Sequence, residues 1–319
     1  MSKSLGNGIE PEDIIKRFGA DVLRLWVASV EFTEDVRLSE TILTRLTEAY
    51  RKLRNTFRYA LGNLSDFDPA ADAVPVEEML EIDQWILVRA EDLVRRCRTW
   101  YDEFAFHKIY HAVYDFATVD LSSIYFDVLK DRLYTSAARS KQRRSAQTAI
   151  HRVTYALVRL LAPLLAFTAE EVWKYLKQAG SVHTALFPEP GELTAGLSAE
   201  SRKRVGNWER LMNVREDVLR SLETARQEKF IGAPLEARVN LSANGDLYPL
   251  LEQYAKDLPS LFIVSQVSLN NGDALSVKIE KADGAKCQRC WKYTTDVGAS
   301  AEFPTICGSC VTAVKEALG

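Results

Sequence analysis

Cys287 and Cys290, then Cys307 and Cys310, form two Cys-x-x-Cys pairs separated by the sixteen residues 291–306. A two-residue gap lets a tight turn aim both sulfurs at one point, and the intervening loop can bring a second turn opposite the first. Four thiolates in a tetrahedron suit Zn²⁺, and this spacing falls within the pattern of a zinc site. Gly308, inside the second pair, is expected to supply the backbone freedom of that turn. Two disulfides or four unrelated thiols are the alternatives. Met1-Ser2-Lys3-Ser4 is followed by no apolar segment of the secretory kind, so an oxidising compartment is not expected. Four sulfurs leave no open coordination position, so one Zn²⁺ here would be structural rather than catalytic.

Other residues carry weaker signals. In Met1-Ser2-Lys3-Ser4-Leu5-Gly6-Asn7, small hydroxyl residues flank one lysine, and Gly6 and Asn7 permit a tight loop. A lysine there could meet a triphosphate as a mobile point charge, although a flexible tail is the simpler reading. His107 and His111 have the i, i+4 spacing of a helical metal pair, but Lys108 follows His107 and no third ligand is near, which favours a structural role. Phe104, Phe106, Tyr110, Tyr114 and Phe116 read as core. Asp115, Asp120 and Asp127 read as exposed or paired with nearby bases. Around the first knuckle, Lys286, Arg289, Trp291, Lys292 and Tyr293 mix cations with aromatics, a composition suited to single-stranded nucleic acid. Packing of Trp291 against the zinc turn is the equal alternative.

The elements that must hold these residues are mostly helical. The 319 residues are 47% hydrophobic and 27% charged, enough for two or three domains with real cores. No apolar run approaches a membrane span. A net charge of −3 argues against a uniformly basic binder but leaves local patches open, such as Arg95-Arg96-Cys97-Arg98, Arg139 to Arg144, and Arg202-Lys203-Arg204. Cys97 itself falls in an apolar helical pattern and reads as an inert buried thiol.

Pro11–Phe18 predicts a helix ended by Gly19, and a second follows from Asp21. Ile42, Leu46, Ala49, Tyr50, Leu53, Phe57 and Ala60 share a helical face. Helical periodicity returns over 82–97, 104–116, 124–133 and 143–161. The next helix is expected to open on a capping box between Thr168 and Glu171. These segments predict a bundle of four or five helices. Residues 191–198 resemble a linker, and a long helix over 202–229 follows. Beyond Pro234 the period becomes that of strands over 235–241, 261–268 and 276–279, with a helix over 247–254, a small α+β unit.

Taken together, these features resemble the class I aminoacyl-tRNA synthetases. Met1 to Asn7 is similar to their KMSKS loop and its usual Leu-Gly-Asn, without the leading Lys. Gly19-Ala20-Asp21-Val22-Leu23-Arg24 resembles the segment that follows it. Lys286-Cys287-Gln288-Arg289-Cys290-Trp291-Lys292-Tyr293, with Ile306-Cys307-Gly308-Ser309-Cys310, resembles the C-terminal zinc module of the bacterial isoleucyl-tRNA synthetases. The resemblance implies a mainly α chain in four parts: 1–40, the KMSKS-like loop and following helices that end a catalytic domain; 41–190, an anticodon-binding helical bundle; 191–280, a long helix with a small α+β junction domain; and 281–319, a zinc-binding module.

The resemblance also implies an activity. Members activate isoleucine with Mg²⁺-bound ATP and transfer it to tRNA(Ile), in the cytoplasm. Lys3 then matches the second KMSKS lysine, which favours adenylation by charge placement, with Ser2 and Ser4 shaping the ATP loop. Cys287, Cys290, Cys307 and Cys310 would hold one Zn²⁺, and Arg289, Trp291 and Lys292 would contact tRNA. A monomer without membrane attachment is expected. Members also carry a nucleotide-binding domain with a HIGH motif and an editing domain before this loop. No such motif occurs around His107, His111, His151 or His183, so the expectation is the C-terminal portion of a longer enzyme, inactive in aminoacylation by itself. A stand-alone zinc-containing nucleic-acid-binding module is the competing reading. The knuckles also resemble the finger of formamidopyrimidine-DNA glycosylases, whose N-terminal proline nucleophile is replaced here by Ser2. A structural protein stapled by zinc is a third.

Overall fold

The computed structural model describes residues 10–36 and 38–318. The chain clusters into two compact units, Met1–Phe126 with Gln147–Leu197, and Asp127–Ala146 with Ser198–Gly319.

The first unit is helical. Helix α1 (Pro11–Phe18) has proline in its first turn, and Gly19 ends it at φ 93°, a conformation that favours glycine. Helix α2 (Ala20–Ser29) follows directly. Helix α3 (Glu40–Asn63) is capped by Ser39, which accepts from the Ile42 N–H at 3.3 Å, and buries Leu43, Leu46, Leu53, Phe57 and Ala60 on one face. After the short α4 (Pro69–Asp72), helix α5 (Glu81–Asp102) buries Ile82, Ile86, Leu87, Leu93, Val94 and Cys97. Each fully buried aliphatic side chain contributes about 1.5–3 kcal/mol against exposure. Helix α6 (Phe106–Asp115) runs on through a wider, i+5-bonded helix over Phe116–Tyr125, where sequence periodicity lapses. Within this core the Tyr125 hydroxyl donates to the buried Asp83 carboxylate at 2.7 Å.

Helix α7 (Phe126–Thr135) lies in the second unit from Asp127 on, whereas α8 (Lys141–Leu161) from Gln147 on and α9 (Ala166–Tyr175) lie in the first. The expected capping box is not formed. Helix α9 starts at Ala166, so Thr168 lies inside its first turn, and Glu171 pairs instead with Arg54 of α3. The α9 amides are capped from elsewhere: Asp21 of α2 accepts from the Phe167 and Thr168 N–H groups at 3.2 and 2.8 Å. The stretch read as a linker, 191–198, is instead a pinned strap. Glu91 accepts from the Gly191 and Leu193 amides at 2.5 and 3.2 Å, Arg159 pairs with Glu192, and Leu193 and Leu197 are buried.

In the second unit, the helix expected over 202–229 is two helices, α10 (Ala199–Val205) and α11 (Asn207–Gln227), meeting at Gly206. Strand β1 (Ala237–Ala243) is followed by α12 (Leu247–Gln253) and α13 (Leu258–Phe262), then β2 (Gln266–Asn271) and β3 (Ser276–Lys281). The sheet order is β2-β1-β3, with β1 parallel to β2 and antiparallel to β3. Leu261 to Val264, expected in a strand, lie at the end of α13 and in the turn after it, with Ile263 left-handed at φ 59°. A four-residue apolar run suits a buried helix end as well as a strand. Short strands β4 (Ala285–Lys286) and β5 (Tyr293–Thr294) pair around the first knuckle, and α14 (Gly308–Leu318) carries the last cysteine.

Candidate functional site

The four knuckle cysteines converge. Cys287 lies between β4 and the first turn, Cys290 closes that turn, Cys307 precedes α14, and Cys310 sits in the first turn of α14. Their sulfurs all lie within 4.8 Å of one another, and Cys290 and Cys307 are 3.7 Å apart. A tetrahedron with zinc–sulfur bonds of about 2.3 Å has edges of about 3.8 Å, so the donor set fits Zn²⁺ in type, number and span. Two disulfides are the competing arrangement, but all five cysteines are free thiols.

Backbone and side chains prepare this cluster. The first turn is closed by Trp291 N–H donating to Cys287 O and Cys287 N–H donating to Lys292 O, both at 2.9 Å. The Cys307 amide donates to Cys287 Sγ at 3.3 Å. Burial pushes the Cys290 thiol up, and the Cys310 thiol up to about 11. Burial also raises Cys287, but amide donors from Cys290, Cys307 and Arg289 outweigh it and bring this thiol to about 6. Four adjacent thiols without a cation therefore do not all ionise, and a divalent cation removes that conflict. Gly308, expected to supply backbone freedom, contributes through its size and not through a left-handed backbone. Its missing side chain admits Asp296, whose carboxylate accepts from the Gly308 amide at 2.8 Å at the start of α14. The left-handed residue is Trp291, at φ 65°.

The expected tRNA-contacting residues separate. The Trp291 ring is 62% exposed. Arg289 Nη1 donates to Thr135 O at 2.5 Å and lies 3.6 Å from Cys310 Sγ, and Lys292 pairs with Asp131 at 2.5 Å. Both cations are thus turned onto α7. Ser2, Lys3 and Ser4 lie outside the described residues. His107 Nδ1 lies 3.2 Å from Glu31, and no metal cluster other than the four cysteines occurs among the described residues. Asp120 pairs with Arg89, and Asp127 with Lys130. Cys97 is wholly buried, which pushes its thiol up to about 12 and leaves it unreactive. Of the aromatic series, Tyr110 and Phe116 are core, but Phe104 is exposed.

A second feature had no sequence signal. Between α3 and α9 run two clefts of about 390 and 490 Å³ that share Leu61 and Tyr175. Their floor includes Phe57, Val172 and Leu176, and His151 faces the second cleft with Nε2 buried and without a hydrogen-bond partner. Tyr175 stands 68% exposed between Arg58 and Lys177. Neither cation has a salt-bridge partner among the described residues. Lys177 adopts φ 57° at the end of α9, a position where glycine is the usual residue. Spatial convergence of separate helices makes this surface, so no local motif announces it.

Comparison with known proteins places these features. Residues 1–39 match the family described as tRNA synthetases class I (I, L, M and V), 83–241 match the anticodon-binding domain of tRNA ligase, and 284–313 match the zinc finger found in FPG and IleRS. Helical bundle, four-sulfur finger and N-terminal segment are together those of a class I tRNA ligase. Isoleucine–tRNA ligases of Syntrophotalea carbinolica and Moorella thermoacetica are 48% and 46% identical over 99% of this chain. The Thermotoga maritima ligase is 44% identical over the same share. The chain belongs to the isoleucine–tRNA ligase family and spans about 35% of the length of these relatives.

Proposed function

We propose that this chain provides the tRNA-gripping and ATP-loop part of an enzyme that activates isoleucine with ATP and transfers it to tRNA(Ile). The observation that carries this reading is the order of three features on one chain: the class I segment over 1–39, the anticodon-binding match over 83–241, and the four-sulfur finger within 284–313. The four-part division at residues 40, 190 and 280 is part of the same reading, as is a cytoplasmic monomer. No helix of the described residues is long and apolar enough to cross a membrane.

Within it, Cys287, Cys290, Cys307 and Cys310 hold one Zn²⁺ that fixes the finger and takes no part in the chemistry. Trp291 offers a stacking face for an unpaired base. A tryptophan kept left-handed and exposed carries strain of about 1–2 kcal/mol, which packing alone does not explain. Arg58, Tyr175 and Lys177 form a second RNA surface, with cations for phosphate and a ring for a base. Lys3, with Ser2 and Ser4, meets the phosphates of Mg²⁺-bound ATP and stabilises the charge that grows during adenylation.

A chimera tests this directly. With residues 1–319 in place of the matching part of the Syntrophotalea carbinolica ligase, the protein is expected to charge tRNA(Ile). Lys3→Ala in that chimera should slow isoleucine-dependent pyrophosphate exchange by about 10²–10³-fold, the loss typical of one charge-stabilising donor. A soluble, zinc-loaded chimera that charges no tRNA, or a Lys3→Ala rate equal to the parent's, would contradict the proposal.

A further inference from the structure

A zinc ion bound by four thiolates leaves a net charge of −2 on the cluster. In a finger of about thirty residues, that charge is stabilised by the donors that reach the sulfurs. Beyond the Cys290, Arg289 and Lys292 amides of the first turn, three further donors reach the sulfurs. The Cys307 amide reaches Cys287 Sγ, the Ser309 hydroxyl lies 3.2 Å from Cys307 Sγ, and Arg289 Nη1 lies 3.6 Å from Cys310 Sγ. Arg289 is the one full positive charge among them. The neighbouring cations are used elsewhere, Lys292 on Asp131 and Lys286 over the Trp291 ring at 6.0 Å.

The same nitrogen that approaches Cys310 also donates to Thr135 O, the last residue of α7. Carbonyls at a helix C-terminus lack intrahelical partners and carry partial negative charge, so a guanidinium there is stabilising. One turn earlier on α7, Asp131 takes Lys292 and also accepts from the Thr135 hydroxyl at 2.9 Å. The first knuckle therefore grips the final turn of α7 at two points, and one of them touches the sulfur cluster. All of these residues belong to the second unit.

We propose that Arg289 is a positioning residue that links metal binding to docking of the knuckle on α7. Its guanidinium bridges a thiolate of the zinc cluster and the C-terminal carbonyl of α7, so each interaction strengthens the other. The inference rests on the zinc reading above. Reciprocity follows from linkage: if the docked knuckle binds zinc more tightly, zinc must tighten docking by the same factor.

The test uses the full chain with Arg289→Met and Arg289→Lys. Zinc affinity is read by competition with a chromophoric chelator, and hydrogen exchange is followed in residues 131–137 with and without the metal. In the parent, removing zinc is expected to speed exchange in that turn. Arg289→Met should weaken zinc binding by about 10–100-fold, the range for loss of a group supporting a metal ligand, and make exchange at 131–137 the same with or without zinc. Arg289→Lys, which keeps the charge, should recover part of both effects. Should Arg289→Met fail to fold, the sulfur-to-metal charge-transfer band of the Co²⁺-loaded Arg289→Lys protein still reports the link, by shifting from the parent's. A parent that binds one zinc, with Arg289→Met equal in affinity and α7 exchange indifferent to the metal, overturns this inference alone. A parent that takes up no zinc overturns the metal reading and this inference with it.

Discussion

Asp21 on α2 and Thr168 in the first turn of α9 are joined twice, the carboxylate accepting from the Thr168 amide at 2.8 Å and from its hydroxyl at 2.6 Å. The Thr168 oxygen lies 2.9 Å from the Tyr50 hydroxyl on α3. The buried carboxylate thus caps α9 from α2, α3 joins through the Thr168 hydroxyl, and the helix that lines both clefts is set in place.

Asp21→Ala leaves the Phe167 and Thr168 amides and the Thr168 hydroxyl without their acceptor. The expected cost is about 2–4 kcal/mol, combining a lost cap with buried unsatisfied donors. Urea unfolding measures it; a change under about 0.5 kcal/mol, the level of an ordinary surface substitution, contradicts the assignment.

Cys287→Ser or Cys310→Ser should abolish zinc retention and unfold the finger while the first unit remains intact. Hydrogen exchange resolved along the chain reads this: protection should vanish over 285–318 and persist in α3, α5 and α8. Simultaneous loss of protection in all of these helices would show that the finger is not separable.

His151 sets a pH dependence. Burial, then the nearby Arg152 charge, lowers its pKa below the ordinary 6.5. The unfolded chain therefore binds a proton that the folded chain resists. The stability tied to neutral His151 is complete above pH 6.5 and is lost as pH falls towards its lowered folded value. His151→Phe should flatten the stability profile in that window, and an unchanged slope between parent and variant would exclude this role.

Lys177 should trade stability against binding. Lys177→Gly relieves a left-handed non-glycine residue and is expected to stabilise the fold by about 1 kcal/mol. It should also weaken tRNA binding and reduce its salt dependence by about one ion, as should Arg58→Gln. Tyr175→Ala should cost about 1–3 kcal/mol of binding if a base stacks there. Loss of stability in Lys177→Gly, or a salt dependence left unchanged in both charge variants, would remove this surface from the account.

Much of this was readable before the fold. Cysteine spacing alone named the four residues that converge, because two short turns and a loop limit the geometry. Helix α1, α3 and α8 followed from periodicity and from Pro11 and Gly19. What escaped depends on contacts distant in sequence. Thr168 and Glu171 satisfied a local capping pattern, yet Asp21 and Arg54 claimed them. Residues 191–198 read as a linker because nothing nearby revealed that Glu91 would hold their amides. Arg289 and Lys292 read as surface cations because α7, which takes both, lies more than 150 residues earlier. The Arg58–Tyr175–Lys177 surface is composed from two helices and has no motif at all.

Equilibrium binding of the zinc-loaded chain to tRNA(Ile) and tRNA(Val), across a range of salt, decides whether this part of the molecule grips its tRNA. Binding is expected to prefer tRNA(Ile) and to weaken linearly on a log–log scale as salt rises. Failure of a folded, zinc-loaded chain to bind either tRNA, or equal affinity for both at every salt concentration, would contradict it.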